Sequence, residues 1–466
     1  MKRGILIVIM VCLGAIVARA QQTAFVPGCT GNAAADTAAF QSIVKGASGS
    51  QLTIQVPFKS DATTLCKLSS ITFDSNVTLD FTQGGIQVVT GQTVTARAPI
   101  IAPPAKRIFY NALGGQGTVV LRGPVYPDWW TANLVPGTTD MSKAINAADA
   151  AICSGALAPD GVTIAAQGIV RFTTAIYRLD SGITYRGAPW AGEGPNNTRL
   201  DYRGSGVAID AVGSNAARKQ LNISNLTLTG ISSSAGAYGL RLGWNIRSFQ
   251  ALNHVTIDHF PLRGILFAQD EWQLSFYDLA IIACASTSGA GIEIDSAVTT
   301  VNQLNWFNLQ LENNGQAGSS SGGGINSNTS AMHQWDFFGG IFQGNKGAAE
   351  ARFVNGSNVG LFGTYVESGL AASGAVDGLI FGGGVTATLS NVNFYADARH
   401  GGTAVRCIGS SSCSLDNLSI HANWPTTISI EDTAVVQVLS LGNLIPGTSA
   451  TKESSPNHLR WPWRPL

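Results

Sequence analysis

Three carboxylates recur at one place in successive repeats of this sequence: Glu312, Glu367 and Asp397. Amide, tyrosine and imidazole side chains accompany them at Gln310, Gln343, Tyr365, Tyr395, His421 and Asn423. Paired carboxylates suit glycoside hydrolysis, one as acid and the other as nucleophile or base. A separation near ~5 Å suits retention of configuration, and roughly 6.5–9.5 Å suits inversion. Glu367 and Asp397, on adjacent repeats, are expected to fit the first spacing. Glu312 and Glu367, two repeats apart at on the order of 9.6 Å, come near the second. Rings and amides beside them would bind a sugar, rings against its apolar faces and amides on its hydroxyls. The competing reading is a ladder of turn residues. LENN (311–314), FQGN (342–345) and VES (366–368) stand where strands should end.

What would position these residues is a repeat. Eight segments follow the rule apolar, x, x, apolar, x, apolar, starting at Ile223, Leu252, Phe276, Leu304, Trp335, Val359, Leu389 and Leu415. Successive starts lie 24 to 31 residues apart. A period in that range, with one short strand per repeat, indicates a solenoid. Side chains alternate along a strand, so positions 4, 6 and 8 are expected inward and 5, 7 and 9 outward. That register sends Phe307, Phe338, Phe362 and His259 inward. Trp306 and Trp335, at positions 3 and 1 near a turn, read chiefly as core residues. At position 3, Asn225, Asp278, Asn391 and Asn417 read as turn residues, since Asn and Asp tolerate left-handed backbone. The outward positions of the first three coils, among them Ile231, Phe260, Ile282 and Cys284, are partly apolar and expected to be covered.

Composition removes several function classes. Lys+Arg and Asp+Glu both number 28, so no basic field favours nucleic acid. Residues 1–20 read as a secretory signal, with Lys2 and Arg3, an apolar stretch and an Ala18-Arg19-Ala20 cleavage site. The mature chain is then expected to be secreted, periplasmic or at the cell surface, with no membrane span. Cys12 leaves with the signal, and the other six cysteines can pair in an oxidising compartment. Cys407 with Cys413 is the best local pair and Cys29 with Cys66 the next. No spacing supports a structural zinc.

Residues 21–123 form an N-terminal β-rich module, with a short helix starting at Asp36, which can cap it. Residues 124–220 are a linker and the entrance and cap of the solenoid, 221–445 the solenoid itself, and 446–466 a tail. Trp129 and Trp130 in the linker are expected to pack against the body. VYPDWW, then DMSKAINAADAA, then YRLDSGITYRG and TRLDYRGSG, resemble the pectate-lyase-like superfamily. The likeness is narrower to its rhamnogalacturonase/epimerase-like and tailspike-type members. CKLSSITFDSNVTLDFTQGG is similar to the head region of tailspike-type proteins. The resemblance implies an all-β chain folded as a right-handed parallel β-helix, a polysaccharide partner and, from tailspikes alone, a homotrimer.

Family motifs do not transfer cleanly. Thr256-Ile257-Asp258-His259 resembles the I-D-H stretch of pectate lyases, but an inward His259 would be structural. A lyase would use Ca²⁺ and an arginine base. Arg399 and Arg406 are near Asp397, yet no acidic trio stands out, and otherwise no cofactor is expected. The paired-aspartate and G-H-G motifs of polygalacturonases are absent. Two readings stay open: a glycoside hydrolase or polysaccharide lyase acting on a complex or acidic glycan, and a non-catalytic glycan-binding or structural spike protein.

Overall fold

One residue per turn of chain decides how this protein is built. In successive coils Asn225, His254, Asp278, Asn308, Gly339, Gly363, Asn391 and Asn417 have φ between 47° and 69°. Left-handed backbone is open to Gly and locally affordable for Asn and Asp, whose short side chains bond nearby groups. Each such residue bends a strand out of one face and into the next. The residue before it points outward and the residue after it points inward. The structure, a computed structural model, describes residues 22–26, 28–47, 49–57, 65–153, 156–246, 248–368, 376–396, 402–421, 424–444, 452–453 and 459–460. The expected signal at 1–20, Asp397, Arg399, Asn423 and most of the tail lie outside them.

The body is a right-handed parallel β-helix with three faces. One coil shows the plan: Val301–Phe307 on the first face, Gln310–Glu312 on the second and Gly322–Asn328 on the third. The next coil repeats it with Met332–Phe338, Ile341–Gln343 and Ala349–Val354. Strands of the first two faces join across the corner as one 22-stranded sheet, and the third face is a sheet of 11. The N-terminal module is itself three small parallel stacks of three strands. The core runs continuously from Val26 to Val438. Trp129, Trp130, Trp306 and Trp335 are buried in it, as expected.

Helix α1 (Ala33–Gly46) is capped by Asn32, whose side chain accepts from Ala34 N and Ala35 N. Asp36 does not cap it. It is buried and accepts from Thr30 N, Gly31 N and Lys67 N, pinning the helix to the neighbouring strand. Helix α2 (Ser142–Ile152) begins where the Asp140 carboxylate accepts from Ser142 N at 3.0 Å. Cys29 pairs with Cys66 and Cys407 with Cys413, while Cys153 and Cys284 are buried free thiols.

The corners overturn part of the sequence register. Phe276 pairs with Trp306, not with Leu304, and Leu361 pairs with Leu389. The true offsets there are two residues away from the segment starts. In three coils the corner therefore falls after Phe307, Phe338 and Phe362, which turn outward, while Trp306, Phe337 and Leu361 fill the core. His259 is also misplaced by the alternation. It occupies a second left-handed corner (φ 57°), its side chain is 45% exposed, and its Nδ1 lies 3.4 Å from Asp258 Oδ1. Phe260 and Cys284, expected outward, follow second-corner residues and are buried. A covered first coil is borne out at Thr227 and Thr229. Both are buried, and Thr227 donates to Pro195 O, whereas Ile231 is exposed.

Adjacent residues thus have opposite fates. Trp306 stacks on Phe276 with ring centroids 4.1 Å apart and is fully buried. Trp306→Ala is expected to cost about 3–5 kcal/mol, as for other buried aromatics. Phe307→Ala should cost only about 1 kcal/mol, the worth of its surface ring contacts. Urea midpoints of the two variants check this; equal losses would refute the corner assignment.

Candidate functional site

The second face is made of strands three to four residues long, so each coil offers it two outward side chains. Strand pairing sets these in two columns. The first is Ala280, Gln310, Ile341, Tyr365, Asn393 and Ser419. The second begins Ile282, Glu312, Gln343, Glu367 and Tyr395, and His421 continues it, its ring 4.8 Å from that of Tyr395. The structure thus brings together Gln310, Glu312, Gln343, Tyr365, Glu367, Tyr395 and His421. The residue paired with Glu367 on the next coil is Tyr395, where Asp397 was expected. The two-residue correction of the register moves Tyr395 into the carboxylate column. The expected Glu367/Asp397 retaining pair therefore loses its basis.

Glu312 and Glu367 stand two coils apart, on the order of 9–10 Å from strand spacing, with Gln343 between them. Glu312 is held on both oxygens. Gln310 Nε2 donates to Oε2 at 2.8 Å and Asn313 Nδ2 to Oε1 at 3.2 Å. Tyr365 bonds the Glu367 carboxylate, and burial together with that charge pushes its phenol up to about 12. His421 Nδ1 is buried and has no hydrogen-bond partner among the described residues. Arg406 stands on the third face, bonded to Glu431 and Asp377, so it serves no base role here. Among the described residues no cluster of three or more His, Cys, Asp or Glu side chains is arranged to hold a metal ion.

A strip of aromatic rings borders this face along the first corner. Tyr277, Phe307, Phe338 and Phe362 stack at 4.7, 5.0 and 5.3 Å with planes within 16° of parallel. Phe338 and its coil-mate Ile341 are 37% and 38% exposed. Each ring covers its neighbour's face, so the strip turns ring edges outward. Beside it, Asp336 rises over Gly360, where a Cβ would come within 2.5 Å of its Oδ1, and burial raises its pKa. The alternation misassigned the three phenylalanines to the core. The signal that would have found them is local: YD, FN, FG and FG, an aromatic followed at once by a residue that tolerates left-handed backbone.

Beneath the second corner runs a buried amide ladder that the sequence reading also missed. Asn314 Nδ2 donates to Ile281 O and Asn345 Oδ1, and Asn345 Nδ2 donates to Leu311 O and Glu350 Oε2. Backbone N–H groups of Cys284, Asn314 and Asn345 donate to Asn314, Asn345 and Glu350 in turn. The ladder follows directly after Glu312 and Gln343 in sequence, so it anchors the ends of the site strands. Two cavities of about 360 and 300 Å³ lie elsewhere, by Trp130 and Lys143 and by Tyr238 and Asp295. An extended polymer needs a run of groups along the stack, and the second face offers one in register.

No protein-family model matches the sequence, and no curated protein matches it. Among solved structures the chain is similar to the enzymatically active domain of tailspike protein 2 of bacteriophage CBA120. Identity is 12% and the TM-score 0.47, over 75% of this chain and 54% of that one. It covers 44% of the full-length form of that tailspike, so it spans about half the length of these structures. It is also similar to the A-module of Azotobacter vinelandii mannuronan C-5 epimerase AlgE4, at 14% identity and TM-score 0.45 over 72% of this chain and 99% of that one. The Streptococcus pneumoniae surface protein and adhesin PfbA matches at 11% identity and TM-score 0.43, over 71% and 100%.

Burial of the Glu350 carboxyl pushes its pKa up to about 8, although its bonds from Asn345 favour the charged form. The fold therefore binds more protons than the unfolded chain between about pH 4.5 and 8, and stability falls as pH rises through that window. Glu350→Gln stays neutral and accepts the same bonds, so its unfolding free energy should fall less across that range; urea titrations at stepped pH check this. These likenesses reach no activity, and by its own strand pairing the chain is a right-handed parallel β-helix.

Proposed function

We propose that this chain binds a polysaccharide along the second face, the sugar chain running down the stack from coil to coil. The observation that carries this is the pair of in-register columns from Gln310 and Glu312 to Ser419 and His421. They supply carboxylates, amides, hydroxyls and two tyrosine rings at one repeat per coil. Hydroxyls of successive sugars would meet these groups, while the aromatic strip lies against their apolar edges. A repeating ligand on a repeating surface accumulates weak contacts.

Hydrolysis is the second reading, favoured by the two-coil spacing of Glu312 and Glu367. In it one carboxyl protonates the leaving oxygen and the other activates water on the opposite side of the ring, with inversion. The bonds from Gln310, Asn313 and Tyr365 orient the two groups. Among the described residues no Lys or Arg stands beside them as the base of a lyase.

Binding of the mature chain to a panel of soluble polysaccharides tests the first reading. Tyr395→Ala should weaken it roughly five- to thirtyfold, one ring contact and one hydrogen bond being lost. New reducing ends of inverted configuration, lost in Glu312→Gln and in Glu367→Gln, would establish hydrolysis. Binding without products would leave a glycan-binding protein.

A further inference from the structure

Charge is segregated around the β-helix. Between Ile223 and His421, the described strands of the first and second faces contain neither Lys nor Arg. Six carboxylates face outward or part-outward there: Asp258, Asp278, Glu312, Asp336, Glu367 and Asp416. The cations stand on the third face, where strand pairing sets Arg241, Leu266, Glu293, Asn326, Arg352, Ile380 and Arg406 in one column. Arg241 is bonded to Asp210, Arg263 to Glu293, and Arg406 to Glu431 and Asp377. Lys346 lies in the turn beyond the second face, not on it.

We infer that the glycan held on the second face is non-anionic, a chain of sugars without carboxylate or sulfate. This rests on the proposed binding face and specifies its ligand. A polyuronate laid along that face would set a carboxylate against Glu312 and Glu367 with no guanidinium or ammonium within the columns. Like charges at one strand spacing repel through the partly desolvated contact, and among the described residues of the columns no cation offsets the cost. Hydroxyls meet no such obstacle, since carboxylates and amides accept and donate to them. Among the described residues no group of three or more His, Cys, Asp or Glu side chains is arranged to hold a divalent cation that could bridge the charges.

The test compares a soluble polyuronate with its own carboxyl-reduced derivative, which differ only in charge. Titrations of the mature chain run at low and high salt, with and without millimolar Ca²⁺, on wild type, Tyr395→Ala and Glu312→Gln/Glu367→Gln. The reduced polymer should bind at least tenfold tighter at low salt. The gap should narrow at high salt through screening, and narrow again in the double variant. Tighter binding of the polyuronate, with or without Ca²⁺, that is lost in Tyr395→Ala overturns the ligand class and leaves the site standing. Binding of either polymer unchanged by Tyr395→Ala, or no binding of any polymer in the panel, overturns the binding face and the ligand class with it.

Discussion

A single left-handed residue at the first corner of eight successive coils, from Asn225 to Asn417, carries the architecture. A strand can leave one face and start another within one residue only if that residue accepts φ near +55°, and the chain places Asn, Asp, Gly or His there. The stack then follows from parallel pairing, because each corner sits above the last. At Gly339 and Gly340 the requirement is strict: a Cβ on Gly340 would come within 2.3 Å of Leu309 O. The same corner sets side-chain direction on both sides of it. Core tryptophans, the exposed aromatic strip and the outward columns are consequences of where it falls.

The second constraint is polar and buried. Turning tightly inside a solenoid leaves backbone groups without strand partners, and an unpaired buried amide costs free energy comparable to a lost hydrogen bond. Asn314 and Asn345 meet this by bonding the coils on either side, and the run ends on Glu350. The chain thereby buries a carboxyl that it keeps protonated. Burial also raises the pKa values of Glu271 and Asp149. At Glu350 alone this stabilisation is greater at low pH than at high.

These corners give the outer surface its chemistry. Because coils stack in register, one residue type repeated at one offset becomes a column, and a column suits a ligand that itself repeats. The columns of the second face carry hydrogen-bonding groups and negative charge, while arginines line the third. Such separation does not arise from net charge, which is zero. It arises from which strand of each coil carries the basic residues.

The repeat, the parallel β-helix, the buried tryptophans and the left-handed role of Asn225, Asp278, Asn391 and Asn417 were legible in the sequence, because periodicity and turn chemistry are local properties. So was the membership of Glu312, Gln343 and Glu367 in one column. What was not legible was register between coils of unequal length. A two-residue slip between Phe276 and Leu304, reversed only at Leu389, displaces the three coils between without changing the apolar pattern, so Asp397 was placed where Tyr395 stands. Nor can alternation alone foresee a corner inside an apolar run, so Phe307, Phe338 and Phe362 were assigned to the core. The amino-acid order by itself determined that the chain would coil and which residues could turn it. Only the tertiary structure decided which coil positions face one another, because parallel hydrogen bonding between strands far apart in sequence, and not the strands' own composition, sets that register.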